Sequence, residues 1–339
     1  MNFRRLFFAL LASVLCFTGL VADAAAQTAA AQTAAAPKKV TFLTNYVFHG
    51  RHSPFFVGVE KGFYKEAGFD VQIQPATGSG FVVTAIDSGK ADYGMADTGT
   101  LIQAIAKGSK DKAFMVFMDI STSGLASLEP YPTLESLKGK KVAAGQTDSA
   151  RVTMPILLER HKLAPDWFQW VAADPGVYMS LLMSGQTDLF TASIDGDVPA
   201  LEKVASGQGK KVYFTPFADW GYDVFGYVLV ASSDSLAKDR SGAKRFAEAT
   251  RKAVMYSIAH PDEAAQIMVK ANPTLNYDTT LAQWRQSIKA IDTDYVKQHG
   301  YGVATPDRVQ ASLDFVAKAL KLDARLGKDD IYVPVLTGR

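Results

Sequence analysis

Polar turns that follow short apolar runs hold the residues of this chain with the most chemistry to offer. After the run KVTFL come Asn45 and Tyr46, an amide beside an aromatic face able to stack on a flat ring. His49 and His52 follow in a loop that Pro54 closes. Thr77-Gly78-Ser79-Gly80 is a hydroxyl-bearing glycine turn that opens a helical stretch, so its free N–H groups suit an anion or a carbonyl oxygen, with a plain capping role for Ser79 as the alternative. It has neither the length nor the lysine of a P-loop, which argues against nucleotide phosphate. Asp97-Thr98 ends the run YGMA. GQTDSA, with Gln146, Thr147, Asp148 and Ser149, is a second polar turn before a helix, and Asp195 and Asp197 sit in a third. Asp219, Trp220, Tyr222 and Asp223 cluster later, where the two aromatic residues offer a second wall for a stacked ring.

Carboxylates accept hydrogen bonds from an amino group or a protonated ring nitrogen, whereas desolvating an oxyanion beside them is costly. Acids at these turns with few basic partners therefore predict an amino-bearing aromatic ligand over a sulfonate or nitrate. Arg151 is expected to pair with a surface acid. The chain has five histidines, none in an HExxH or serine-elbow context, and His49-x-x-His52 has no acids placed to complete a metal site. No catalytic residue, metal or cofactor is expected, and the chain is expected not to be an enzyme.

The elements that must position these residues alternate. Strand-like KVTFLTNY and DVQIQPAT flank a helix predicted over 54–67, DYGMA follows a helix at 81–87, and AFMVFMD follows one at 101–107, an order that implies an α/β layer with a largely parallel sheet. A second series starts near residue 130 and repeats the wording of the first: SGKADYGMAD at 88–97 is matched by SGQTDLFTAS at 184–193. The matched Asp92 and Asp188 are expected to serve the fold, and the unmatched Asp97 the ligand. Two similar lobes then face each other across a cleft beyond their strand ends, and two chain crossings make a hinge. The predicted division is 38–125 with 232–339 for the first lobe and 126–231 for the second.

Residues 1–26 place Arg4 and Arg5 before an apolar run and small-residue cleavage choices, the layout of a secretory signal peptide. Residues 27–37 are a low-complexity flexible leader. Export to the periplasm follows, and the only cysteine, Cys16, would be lost with the signal. The formal net charge of +2, or +1 without Arg4, Arg5 and Asp23, marks no nucleic-acid or membrane-surface binder.

The stretches FLTNYVFHGRHSPFFVGVEKGFYKEAGFDVQI, ATGSG, SGKADYGMAD, LESLKGKKVAAGQ, SGQTDLFTASIDGD and ADWGYDVFGYVLVASSD resemble the periplasmic substrate-binding proteins of ABC importers. The similar branch contains binders of thiamine pyrimidine precursors, near relatives of sulfonate, nitrate and riboflavin binders. The resemblance covers about residues 38 to 325. It implies a type II periplasmic binding protein fold of two parallel-rich sheets joined by a two-stranded hinge. It also implies a monomer that delivers a small heteroaromatic to an ABC permease in the inner membrane by hinge closure. Ligand contacts are then expected at Asn45, Tyr46, His52, Gly78, Ser79, Asp97, Thr98, Gln146, Thr147, Asp195, Asp219, Trp220 and Tyr222. Riboflavin, sulfonate or nitrate is the alternative ligand. A fungal enzyme group of this fold that makes the thiamine pyrimidine is a further alternative, weakened by the lack of its cysteine-rich segment.

Overall fold

The computed structural model describes residues 36–322 and 326–338, so the expected signal peptide, most of the leader and Cys16 lie outside the described residues. Ten strands build two five-stranded sheets within one compact unit, Lys39–Arg339. They are β1 (Lys38–Leu43), β2 (Phe69–Gln74), β3 (Tyr93–Asp97), β4 (Asp111–Met118), β5 (Ser123–Ser127), β6 (Lys141–Ala144), β7 (Gln169–Ala172), β8 (Leu189–Ser193), β9 (Tyr213–Pro216) and β10 (Tyr227–Ser232). The first sheet has the order β2-β1-β3-β10-β4 and the second β7-β6-β8-β5-β9.

The repeated decapeptide ends in the middle strand of each sheet, β3 and β8, and all five residues of both strands are buried. An unbroken apolar run suits a strand covered on both faces, which explains why neither reads as alternating. Each is anchored at its start by the matched aspartate. Asp92 Oδ2 accepts from Thr41 N–H at 2.8 Å while its own N–H donates to Thr41 O, and Asp188 does the same with Lys141, again at 2.8 Å. The structural reading of this pair therefore holds, since the carboxylate locks the parallel neighbours β1–β3 and β6–β8 in register.

Both sheets are parallel-rich, as expected, and each takes one antiparallel strand from a chain crossing. β10 lies antiparallel between β3 and β4, and β5 lies antiparallel between β8 and β9. β10 thus belongs to the first sheet and β5 to the second, so the crossings are the coil at 119–122 and the segment 217–226. The two crossings touch where Gly226 N–H donates to Met118 O at 3.0 Å. A Cβ at Gly226 would stand 2.3 Å from Ile120 O, so only glycine lets them run this close.

The predicted helix at 54–67 divides into Ser53–Glu60 and Phe63–Glu66, because Gly62 between them has φ +73°. The first lobe's core centres on Phe246 of the helix Arg240–Ala259, with Tyr64 stacked at 5.0 Å and Tyr93 at 4.5 Å. The second gathers Phe190, Tyr178, Leu201 and Ala143. The helix Pro306–Leu320 packs on Thr98–Ala106 of the first lobe and on Ala150–Arg160 of the second, with Arg160 over Phe315 and Lys321 bonded to Glu159 at 3.0 Å. Among the described residues no helix is long and apolar enough to cross a membrane.

Replacing Asp92 or Asp188 by Asn keeps shape but weakens a carboxylate-assisted bond. Each variant should lose about 1 kcal/mol of stability in denaturant titration, with unchanged affinity for any cleft ligand.

Candidate functional site

The cleft between the two sheets is closed, and the closure has two seams. At the outer rim Gly80 N–H donates to Thr147 O at 3.0 Å, and Thr147 Oγ1 donates to Thr77 O at 3.2 Å. Gly78 has φ +147°, and a Cβ there would meet Thr147 O at 2.2 Å, so glycine is required both by its conformation and by the facing backbone. At the inner seam Arg51 Nη2 reaches Asp195 Oδ1 at 3.2 Å and also donates to Ser193 Oγ. Asp195 Oδ2 accepts from Ser287 Oγ at 2.7 Å, and Gln283 accepts from Gly50 N–H at 2.8 Å while donating to Gly196 O.

Between the seams lies empty space of about 410 Å³, counted out to the cleft mouth. The first sheet's side supplies Asn45, Tyr46, Arg51, Gly78 and Ser79, and the second's supplies Asp148, Ser149, Thr191, Ser193 and Asp197. Its floor is made by the crossings. Tyr227 opens β10 opposite Asp97, and Ser123 opens β5 opposite Ser193, which brings Tyr227 Oη and Ser123 Oγ to 3.4 Å. Phe217 adds a further aromatic face.

Hydrogen bonding fixes what each lining group has left to offer. His52 Nδ1 accepts from His49 N–H at 3.0 Å, so Nε2 carries the proton and donates to Asn45 Oδ1 at 3.0 Å. That leaves the amide N–H groups of Asn45 as donors toward the cavity. Burial, with the neighbouring Arg51 charge, holds His52 well below its ordinary pKa and His49 down to about 3. The 3.7 Å approach of His49 to Asp197 is therefore the contact of a neutral ring, not an ion pair. Asp148 is held by Thr191 Oγ1 at 2.7 Å and by Ala150 N–H at 2.9 Å, and Asp197 by Ser193 N–H at 2.8 Å. Burial raises both acids, Asp197 to about 6. Burial, then Asp148 and Asp197, push the Tyr46 phenol well above its ordinary value, and the Tyr178 phenol lies beside it.

Of the thirteen expected contacts, the structure brings Asn45, Tyr46, Gly78 and Ser79 to the cavity. His52 stands behind Asn45, and Asp195 belongs to the inner seam. Gln146 and Thr147 lie on the outer rim. Asp97 is a helix cap: Oδ1 accepts from Thr100 N–H at 2.9 Å and Oγ1 at 3.1 Å, while its own N–H donates to Ser79 Oγ. Thr98 is buried beside it, donating its N–H to Gly226 O. Asp219 is exposed. Trp220 turns into the second lobe, donating to Pro132 O at 3.3 Å, and Tyr222 packs beneath Gly99 and edge-on to Phe315. Phe217 and Tyr227 of the same segment take the place expected for those two rings. Arg51 was missed because a lone arginine in a loop reads as solvated, and its partner Asp195 lies far along the chain. Arg151 donates to Gly145 O and Ala144 O rather than pairing with a surface acid.

The family model described as NMT1/THI5 like matches residues 49–264, which includes Arg51, Asp195 and both crossings. The chain belongs to the NMT1/THI5-like family. Over 292 residues, 80% of this chain and 85% of the relative, it is 26% identical to 4-amino-5-hydroxymethyl-2-methylpyrimidine phosphate synthase THI13 of Saccharomyces cerevisiae. It is also similar in fold to the alkanesulfonate-binding protein SsuA from Xanthomonas axonopodis bound to MOPS (TM-score 0.68, 12% identity, 88% of this chain and 99% of that one). The ligand-binding component of an ABC-type import system from Staphylococcus aureus superimposes with a TM-score of 0.62 at 14% identity, covering 88% and 97%. The fold is that of the periplasmic binding proteins. The synthases correct the expectation that the chain is not an enzyme, since relatives covering about four-fifths of it carry an enzyme name in both Saccharomyces and Candida. Lacking a serine elbow and HExxH excludes two chemistries and says nothing about others.

Burial raises Asp97 from its ordinary 3.8 to about 7, against the bonds from Thr100. A raised folded-state value stabilises the fold fully below the unfolded pKa, and this contribution is lost as pH rises from about 4 through about 7. Asn caps a helix as well as Asp and does not ionise. Asp97→Asn should therefore melt like the parent at pH 4 and above it at pH 8, which thermal denaturation across that range would check.

Proposed function

We propose that the cleft binds an aminopyrimidine of the class that the synthases are named for, held by closure of the two lobes. The observation that carries this reading is the pair of buried acids, Asp148 and Asp197, that line the cavity with the Tyr46 phenol. An exocyclic amino group and a ring nitrogen find acceptors there, and Tyr46, Phe217 and Tyr227 offer faces to a flat ring. Closure buries the ligand on both sides, so the closed shape is populated when the site is filled.

Delivery to an ABC permease, and export to the periplasm under the N-terminal Arg4-Arg5 and apolar run, are supported by the fold's occurrence in ligand-binding components of import systems. The synthase names bring pyrimidine-forming chemistry into the family, so mass spectrometry of the bound molecule before and after incubation belongs in the first experiment. Ligand that binds only the folded state stabilises it by about 2.7 kcal/mol at roughly 100 times Kd. 4-Amino-5-hydroxymethyl-2-methylpyrimidine should raise the melting temperature accordingly. Tyr46→Phe should weaken calorimetric binding by about fivefold or more, the loss of one hydrogen bond to the ligand, while the ligand-free protein still melts cooperatively. A melting temperature unmoved by the pyrimidine overturns the reading.

A further inference from the structure

Arg51 is fully buried, and its guanidinium is only partly engaged. Nη2 takes Asp195 and Ser193 and the Tyr227 phenol bears on the same group, while Nε and Nη1 make no well-formed hydrogen bond among the described residues. The guanidinium stands over the Tyr227 ring at 5.1 Å and lines the cavity floor. Donors of a charged group left unpaired in a closed interior are costly, so a filled site is expected to satisfy them. The surroundings limit what can do so. The Arg51 charge already faces Asp195, and the buried carboxyl groups of Asp148 and Asp197 line the same cavity. A sulfonate or nitrate brought to Arg51 would face those carboxyl groups.

We infer that the unused edge of Arg51 reads an uncharged hydrogen-bond acceptor on the ligand, a hydroxyl or carbonyl oxygen, and that the acids around it exclude oxyanions. The inference rests on the proposed aminopyrimidine site and adds to it the chemistry at the opposite end of the ligand. Arg51 is thus the residue that sets specificity within a fold that elsewhere holds alkanesulfonates.

The test compares two ligands sharing ring and amino group. 4-Amino-5-hydroxymethyl-2-methylpyrimidine carries the acceptor, and 4-amino-2,5-dimethylpyrimidine lacks it. Calorimetry on the unmodified protein should show the second binding about 10- to 100-fold more weakly, the range for a hydrogen bond to a charged group. In R51K, which keeps the charge facing Asp195 but loses the planar fork, the two should differ by less than about threefold. Methanesulfonate and nitrate should neither bind nor compete. Equal binding of the pair to the unmodified protein, an undiminished gap in R51K, or competition by methanesulfonate overturns the inference while leaving the pyrimidine site standing. Failure of both pyrimidines to bind overturns the proposed function and this inference together. The ligand pair decides on the unmodified protein even where R51K folds poorly.

Discussion

The ion pair between Arg51 and Asp195 is the constraint on which the closed molecule depends. It joins side chains from opposite lobes, both essentially without solvent exposure, and Ser287, Ser193 and Gln283 complete its surroundings. Taking two charges out of water costs about as much as their attraction returns, so such a pair contributes little net stability. Its value lies in register. A lobe rotated slightly away would leave a buried charge without its partner, and that alternative is strongly disfavoured. Gly196 and Gly50 belong to the same constraint, since a Cβ at Gly196 would lie 2.5 Å from Arg51 Nη2 and one at Gly50 would lie 2.2 Å from Thr280 O.

The site follows from how the chain changes sheets. Each crossing strand enters beside the strand that carries the repeated decapeptide, and its first residue faces that strand's last. Tyr227 and Ser123 are therefore delivered to the cavity floor by topology, and the polar turns of both lobes are delivered to its walls. The buried acids that result are raised by loss of water and steadied by Thr191, Ala150 and Ser193. A ligand meets groups already oriented, so little ordering remains to be done on binding.

Much of this was legible in the residue string because it is local. The strands β1 to β4, the helices expected at 81–87 and 101–107, which begin earlier at Ser79 and Thr98, and the duplicated turn with its aspartate all announce themselves by short-range pattern. Asn45, Tyr46, Gly78 and Ser79 reach the cavity for the same reason: they sit just after a strand or at the start of a helix. What failed was non-local. Whether Asp97 caps its own helix or faces a ligand depends on the 2.9 Å bond from Thr100, which spacing alone leaves undecided. Whether Trp220 or Phe217 faces the cavity depends on Pro132, far upstream, accepting from the indole. The insertion of β10 between β3 and β4 is likewise invisible to periodicity, since a buried antiparallel strand and a buried parallel one have the same apolar pattern.

The helix Pro306–Leu320 rests on one helix from each lobe and meets the second crossing through the Arg308–Asp223 bond at 2.9 Å. Two backbone crossings alone would leave the lobes free to twist as well as to swing. A third support alongside them opposes twisting, so the proposed closure turns about a single axis, with the rim at Gly78 and Thr147 far from it. Mechanical advantage then runs from rim to hinge: a small molecule acting far from the axis sets the position of the whole lobe, while the helix beside the axis scarcely moves.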